Sequence, residues 1–259
     1  MSLLDEILAP GGLVVLLQPI FRIGPWGIDG LHGFEALTRG AAPGNASRAD
    51  VLFDYVRRKH AEPPVDRACV HTIFETIAAL HAFPSLSFNV HAATLGRDSE
   101  FAGYIVEEAA HVGIDPRHLT VEIVEHSSHW DGTAFQASLD ALRDAGVQVA
   151  LDDVGFGHSN LHMILECRPH YLKLDRYFVR RAAHSAPRRA VLRGMAQLAA
   201  DLGAEIVAEG VEQLEDLDAV ITSGIRLAQG YLLGPPVPAA GQMSLASLQP
   251  PVEALSLNC

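Results

Sequence analysis

The chain has 259 residues, of which 49% are hydrophobic and 19% are charged, an ordinary composition for a globular protein with a sizeable core. With 19 basic and 31 acidic residues, the formal net charge is -12, and no long run of Lys or Arg occurs. This argues against a surface for nucleic-acid polymers, which needs clustered basic side chains. The negative net charge does not exclude a small phosphorylated ligand whose charge is neutralised by metal ions.

The cysteines and the amino terminus predict a cytoplasmic protein. Cys69, Cys167 and Cys259 are far apart and odd in number, and they lack the spacing of a disulfide framework or a metal site. The first residues carry acids before an apolar run and no basic segment, unlike a secretory signal peptide. No apolar run approaches the roughly 20 residues that span a bilayer. We therefore expect a soluble, cytoplasmic chain with no membrane association, whether it is complete or a module of a longer protein.

Short apolar segments alternate with helical patterns along the chain. Strands are predicted near 13–20, 32–37, 86–90, 119–124, 147–152, 171–175, 204–208 and 227–231, and helices near 47–60, 65–82, 98–113, 131–146, 186–202 and 213–223. This alternation predicts an α/β fold with a mostly parallel sheet covered by helices. Eight strands favour a closed barrel of the (β/α)8 TIM type over an open doubly wound sheet. We expect residues 1–240 to form a single barrel domain and residues 241–259 to form a C-terminal tail.

Polar side chains occur at or near the carboxyl end of almost every predicted strand. They are Glu35, Asn89, Glu122, Glu125, Asp152, Asp153, Lys173, Asp175, Glu209 and Gln229. In a barrel these ends share one mouth, where catalytic residues collect. Each residue alone is more typical of a helix cap, a turn or a plain ion pair. Together, however, so many carboxylates would repel each other unless cations lay among them.

The donor types predict a hard divalent cation. Carboxylate and amide oxygens suit Mg²⁺ or Mn²⁺, whereas Zn²⁺ would usually recruit His or Cys. The nearest histidines, His91 and His158, are interpreted as surface or loop residues. The adjacent pair Asp152 and Asp153 could serve two metal ions, one residue bridging both and the other binding only the second. Lys173 would then position or deprotonate the attacking water, or offset negative charge on a phosphate.

The segment GFGHSN after Asp153 is not a phosphate-binding loop. Asn160 stands where a dinucleotide fingerprint has its third glycine, and no P-loop lysine follows. We interpret the glycines as allowing a tight turn beside the metal site.

The triplet Glu35-Ala36-Leu37 lies in GFEALTR, and seven further segments are QPIF, FNV, VEIVE, LDDVGFGHSNL, YLKLDRYFV, IVAEGVE and QGYLLGPPVP. In type and order these segments resemble one family, the EAL-domain phosphodiesterases that hydrolyse the bacterial messenger cyclic di-GMP. The resemblance covers about residues 13–238. It implies a modified (β/α)8 barrel with one antiparallel strand, often a dimer through the loop after Asp153, that opens cyclic di-GMP to linear pGpG with two Mg²⁺ or Mn²⁺ ions.

The resemblance also implies a role for each matching residue. The metal ligands are Glu35, Asn89, Glu122 and Asp152 for the first ion, and Asp152, Asp153 and Glu209, directly or through water, for the second. Lys173 matches the lysine that engages the nucleophilic water, and Glu125 matches the glutamate that steadies the glycine-rich loop; with Asp175 they form the predicted catalytic set. Gln18 and Arg39 match positions that contact the ligand, and Gln229 and Asp175 match positions that support the site. The predicted substrate-binding set is Gln18, Arg39 and Gln229.

The loop after the two aspartates departs from the family pattern. Val154, Phe156, His158 and Asn160 replace the usual Phe, Thr, Tyr and second Ser. No implied metal ligand is lost, so the chemistry is expected to survive, whereas the coupling of the loop to a dimer partner or a regulatory protein is altered. Two alternatives remain: a cyclic di-GMP receptor that signals through a partner without hydrolysis, and a metal-dependent enolising lyase, which does not explain the EAL-like segments.

Overall fold

Nine strands and ten α-helices occur in the part of the chain that the computed structural model describes, residues 2–44, 47–78, 85–124, 131–155 and 161–239. The strands are β1 (Leu13–Gly24), β2 (Gly27–Gly40), β3 (Leu86–His91), β4 (Leu119–Val124), β5 (Gln148–Val154), β6 (Tyr171–Leu174), β7 (Glu205–Ala208), β8 (Leu227–Ala228) and β9 (Val237–Pro238). The helices are α1 (Leu3–Leu8), α2 (Ala49–Arg58), α3 (Glu62–Ala78), α4 (Ala92–Leu95), α5 (Phe101–His111), α6 (Gly132–Asp144), α7 (Leu161–Cys167), α8 (Arg176–Val179), α9 (Ala186–Leu202) and α10 (Leu214–Thr222).

Strands β1 to β8 close into a barrel. Neighbouring strands from β2 to β8 are parallel, and β1 closes the ring by pairing antiparallel with both β2 and β8. Only Pro25 and Trp26 separate β1 from β2, and so short a connection permits a hairpin but no parallel crossover. The barrel with one antiparallel strand is therefore confirmed, and the alternative of an open sheet is wrong.

The predicted helices are confirmed where the structure describes them, with small shifts at their ends. Helix α9 begins after the cap Ser185, whose side chain accepts the Arg188 N–H, and ends at Gly203 with φ 71°, a conformation that favours glycine. Helix α3 begins earlier than predicted, because Pro63 and Pro64 are tolerated in a first helical turn. Helices α1, α4, α7 and α8 and strand β9 were not predicted, since segments of seven residues or fewer carry little periodic signal.

Successive side chains on the strands point alternately to the hydrophobic core and to the candidate site. On β4, Leu119, Val121 and Ile123 pack into the main hydrophobic cluster, while Glu122 between them contacts Lys173 instead. On β6, Leu172 and Leu174 likewise belong to the cluster and flank Lys173. On β4 and β6, burial of the two apolar neighbours thus fixes the direction of the polar side chain between them.

Strand β8 ends before its predicted limit at residue 231. A Cβ atom on Gly230 would lie 2.2 Å from the Val211 carbonyl oxygen, so only glycine fits where the chain passes this backbone. The close approach brings Gln229 and the segment after it to the barrel mouth. None of the described helices has the length and apolar character that crossing a membrane requires.

Candidate active site

Lys173 lies at the centre of a ring of carboxylates. Its ammonium nitrogen Nζ is 2.5 Å from Glu122 Oε2, 2.8 Å from Glu209 Oε1, 3.2 Å from Glu35 Oε2 and 3.6 Å from Asp152 Oδ1. The side chain is only 2% exposed. Glu35, Glu122 and Asp152 lie on β2, β4 and β5, and Glu209 directly follows β7. Although Glu35 and Glu209 are 174 positions apart in the chain, the barrel brings both into contact with the same ammonium group.

Side-chain amides hold Glu35 in place. Asn89 Nδ2 donates to Glu35 Oε1 at 3.0 Å, and Gln229 Nε2 donates to Glu35 Oε2 at 2.7 Å. Gln229 Nε2 also lies 3.0 Å from Gln18 Oε1, and Gln18 Nε2 donates to the Gly234 carbonyl at 3.2 Å. Strand β1 places Gln18 directly opposite Glu35 in the β1–β2 register. Gln18 and Gln229, predicted as substrate contacts, therefore orient a proposed metal ligand in this structure.

The charges of the ring shift its pKa values in opposite directions. Burial opposes ionisation of Glu35, but Lys173 and the two amides outweigh it and lower its pKa. For Glu122, burial and the neighbouring Glu35 outweigh Lys173 and raise the pKa well above its ordinary value. Burial likewise raises the pKa of Asp152. Burial disfavours the charged form of Lys173, but the surrounding acids raise its pKa well above its ordinary value, so Lys173 is an ammonium ion in this ring.

A bulge in β5 brings the adjacent aspartates to the same mouth. The β5–β6 register shifts between Leu151 and Val154, and Asp153 has a φ of 51°, in the left-handed region. In a regular strand adjacent side chains point to opposite faces, and a bulge re-aims one of them. Ligand oxygens of Asp152, Asp153 and Glu209 consequently lie within 4.8 Å of one another.

The pKa values of Asp153 and Glu209, which lie close to Asp152, are also raised. Burial, followed by the charges of Asp152 and Asp175, raises the pKa of Asp153 to about 6. Burial raises the pKa of Glu209 to about 8, although Lys173 opposes the shift. Both shifts indicate that, with Lys173 alone, this mouth carries too little positive charge for all of its carboxylates.

The donor set fits a hard divalent cation. Asn89 Oδ1 is buried and accepts no hydrogen bond from any described residue, although such atoms are normally satisfied. It lies on the residue that donates to Glu35, so an oxygen without a partner sits beside a carboxylate. Oxygen donors of this kind suit Mg²⁺ or Mn²⁺, and bound cations would compensate the excess of acids.

An open pocket of about 710 Å³ gives access to this centre. Lys173, Glu35, Asp152 and Glu209 line it, and its wall also includes Arg39, Asp175 and Tyr231. Arg39 donates from Nη1 to the Thr38 carbonyl at 2.8 Å, and burial lowers its pKa. Tyr231, 67% exposed, was not singled out from the sequence, because an aromatic residue after a strand carries no distinctive signal.

Two other sequence interpretations can be compared with the structure. Asp175 does not form an ion pair with Lys173; it caps α8 by accepting the Tyr177 N–H at 2.8 Å and lies at the pocket wall. The surface or loop role of His91 is wrong. His91 ends β3 in a buried position, and its backbone N–H and Nδ1 both contact the buried carboxylate of Asp66, at 3.0 Å and 2.8 Å. Thr94 Oγ1 donates to the same carboxylate.

Some predicted site residues lie outside the described part of the chain. They are Glu125 and three of the four loop substitutions, Phe156, His158 and Asn160. The tail predicted at 241–259 also lies outside it.

The raised acid pKa values predict how the stability of the metal-free protein changes with pH. The unfolded chain loses protons near the ordinary values of 3.8 and 4.5, whereas folded Asp153 and Glu209 keep theirs to about 6 and about 8. The folded state then binds more protons, so the free energy of unfolding falls as pH rises through this window. The lowered pKa of Glu35 and the raised pKa of Lys173 act outside it.

Thermal unfolding in EDTA between pH 5 and pH 8 measures this effect. We expect the midpoint to fall with rising pH in EDTA and to fall less in Mg²⁺ or Mn²⁺, because bound cations compete with the protons. A midpoint that rises with pH in EDTA would contradict the assigned shifts.

Comparison with known proteins points to one family. The family model described as "EAL domain" matches residues 2–236. The cyclic di-GMP phosphodiesterase RocR of Pseudomonas aeruginosa is 34% identical over 154 residues, which are 60% of this chain and 39% of RocR. The uncharacterized protein y4lL of Sinorhizobium fredii is 29% identical over 249 residues, which are 93% of this chain and 29% of that protein. The chain thus spans well under half of the length of these curated relatives.

A solved structure supports the same assignment. The manganese and cyclic di-GMP complex of Klebsiella pneumoniae BlrP1 superposes with a TM-score of 0.75 at 26% identity, over 90% of this chain and 58% of that chain. Three observations therefore point to the same family: the fold, the ring of acids around Lys173, and the family match over residues 2–236. The chain belongs to the EAL domain family.

Proposed function

We propose that this chain is a metal-dependent phosphodiesterase that hydrolyses cyclic di-GMP to linear pGpG by a two-metal mechanism. The observation that carries the proposal is the contact of Lys173 with four carboxylates next to the Asp152, Asp153 and Glu209 cluster. All metal-ligand types that the resemblance implies are present at one barrel mouth. The activity named for RocR supports cyclic di-GMP as the substrate.

The proposed ligands divide into two groups. Glu35, Asn89, Glu122 and Asp152 would hold one ion, and Asp152, Asp153 and Glu209 would hold the other. Bound Mg²⁺ or Mn²⁺ would supply electrostatic stabilisation of a phosphodiester and would lower the pKa of water. Because the Asp152 and Asp153 carboxylates are brought together by a bulge in a closed barrel, the chain fixes their separation before a ligand arrives.

The remaining residues position the reactants. Lys173 would orient the attacking water and neutralise charge developing on the phosphate, since its ammonium group is buried at the floor of the pocket. Arg39 at the pocket wall would contact the substrate, together with Gln18 and Gln229. Asp175 is proposed to support the site from its capping position, and Glu125 to steady the loop. A homodimer through that loop and a regulatory partner remain predictions.

Incubation of the protein with cyclic di-GMP and Mg²⁺ or Mn²⁺, followed by chromatography of the products, tests the proposal. We expect pGpG from the wild type and none from Glu35→Ala, because this substitution removes a ligand that contacts Lys173, Asn89 and Gln229. Glu215→Ala, at the first turn of α10, is a matched acidic control and should retain activity. Tight binding of cyclic di-GMP without any product would instead support the receptor.

A further inference from the structure

A second cavity, of about 500 Å³, opens beside the mouth of the main pocket. It is lined by Asp175, Arg176, Tyr177, Arg180, Arg181 and Arg188. Arg176 and Arg180, together with Asp175, also line the main pocket, so the two cavities adjoin each other. We call Arg176, Arg180, Arg181 and Arg188 the arginine cluster. The cavity is lined by four guanidinium groups and one carboxylate, so it is locally positive although the chain has a net charge of -12.

Most of the cluster's donors are not used by acidic partners. Arg180 pairs with Glu212, whereas no described carboxylate forms an ion pair with Arg176, Arg181 or Arg188. Arg188 donates to the Arg180 carbonyl through Nη1 only. Guanidinium groups gathered at one cavity repel each other unless an anion lies among them. Arg176, Arg181 and Arg188 therefore keep guanidinium donors that an anionic ligand at the cavity could use.

Tyr177 gives the cavity an aromatic wall. Its side chain is 55% exposed, and the Arg188 guanidinium lies 5.0 Å from the ring centroid, which holds both groups at the cavity. Arginine forks bind phosphate oxygens in pairs, and an exposed aromatic ring can stack on a nucleobase. Phosphate and base together are the chemistry of a nucleotide.

We propose that the arginine cluster is a phosphate-monoester subsite that holds the terminal phosphate of a guanine nucleotide at the rim of the pocket. The inference rests on the proposed function, which places a guanine dinucleotide in the adjoining main pocket. Cyclic di-GMP has no terminal phosphate, whereas hydrolysis creates one at the metal centre beside Lys173, and the product would bring it to the cluster by shifting outward towards Arg176 and Arg180, which line both cavities. The subsite would thus favour the linear product over the substrate and retain it, so that pGpG inhibits the enzyme.

Binding in EDTA tests the subsite without a contribution from metal ions. The probes are pGpG and GpG, which lacks the terminal phosphate, measured by calorimetry with the wild type and Arg181→Gln/Arg188→Gln. Because charge-assisted phosphate contacts are strong, we expect the wild type to bind pGpG about tenfold more tightly than GpG. The double variant should lose this preference. Arg193→Gln, an exposed arginine on α9 outside the cavity, is the control and should retain it.

Kinetics supply an independent measurement. In the double variant the inhibition constant of pGpG should rise about tenfold, with an unchanged KM for cyclic di-GMP, and far-ultraviolet circular dichroism should confirm the fold. Equal binding of pGpG and GpG by the wild type, or a preference that persists in the double variant, would overturn the inference. If the wild type hydrolyses cyclic di-GMP but binds pGpG and GpG equally, only the subsite is refuted. If it prefers pGpG to GpG but does not hydrolyse cyclic di-GMP, only the proposed function is refuted.

A third probe, 5′-GMP, distinguishes the source of the phosphate. Binding of 5′-GMP that depends on Arg181 and Arg188 while cyclic di-GMP occupies the pocket would identify a free mononucleotide as the ligand. Binding of 5′-GMP that depends on Arg181 and Arg188 but is excluded by cyclic di-GMP would identify the phosphate of the pocket's own product. Either result supports a phosphate subsite, and no binding of 5′-GMP or pGpG at the cluster would refute it.

Discussion

Lys173→Met is expected to abolish most of the catalytic rate and to destabilise the metal-free protein. The chain has only two lysines, and this one is buried among Glu35, Glu122, Asp152 and Glu209. Losing a group that orients water and stabilises developing charge typically costs about 10²–10⁴-fold in kcat. Substrate binding should change much less, because the substituted atom lies at the floor of the pocket, beneath the residues that would contact the nucleotide.

The stability effect has a separate electrostatic cause. Removing one partner of a buried ion pair costs about 3–5 kcal/mol, because the other charges stay buried and uncompensated. In EDTA, the loss in free energy of unfolding should be larger at pH 8 than at pH 5, where protonation relieves the carboxylates. Mg²⁺ should restore part of it.

Urea unfolding in EDTA and in Mg²⁺, together with single-turnover kinetics, measures both effects. Lys59→Met is the matched control, since Lys59 is exposed at the end of α2 and should show neither effect. Normal turnover by Lys173→Met would exclude the proposed role of Lys173. An unchanged free energy of unfolding in EDTA would exclude its role as the counter-charge of the ring.

The position of the candidate site could be predicted from sequence because strands are short and regular. A polar residue between two apolar ones, as Lys173 between Leu172 and Leu174, reports a side chain turned away from the core cluster. The parallel barrel then brings all such positions to one mouth. The direction of β1, in contrast, came from the family resemblance, since its own apolar pattern does not distinguish parallel from antiparallel pairing.

Contacts across the barrel could not be predicted. The hydrogen bonds of Gln229 to Gln18 and Glu35 join residues 211 and 194 positions apart, and no local pattern encodes them. His91 illustrates a different failure. A histidine after a strand is commonly exposed, but the carboxylate of Asp66 on α3 binds it and supplies the partner that burial requires.

The bulge in β5 was also beyond prediction, although its consequence was anticipated. Two adjacent aspartates on a regular strand would diverge, so a shared site for Asp152 and Asp153 requires a local break in alternation. The structure provides it through the register shift after Leu151 and the left-handed backbone of Asp153. Asp and Asn both adopt the left-handed region more readily than most residues, so an asparagine at position 153 would tolerate the same backbone conformation.

Metal stoichiometry in the two aspartate variants should separate a two-metal site from a single-metal site. The proposal expects the wild type to bind two Mn²⁺ ions per chain. Asp153→Asn should lose the second ion and keep the first, because Glu35, Asn89, Glu122 and Asp152 remain. Asp152→Asn should weaken both, since Asp152 is the proposed bridge. Electron paramagnetic resonance measures the free Mn²⁺ after equilibrium dialysis, and the number of bound ions is the total minus the free concentration.

Activity should follow the same order. Metal stabilisation of a phosphoryl transfer is worth several kcal/mol, so Asp152→Asn should lower kcat by about 10³-fold or more. Asp140→Asn, at an exposed position of α6, is the control for removing one carboxylate and should leave both stoichiometry and rate unchanged. One Mn²⁺ in the wild type, or equal losses in the two variants, would contradict the bridge, because only a shared ligand makes Asp152 more costly to replace than its neighbour.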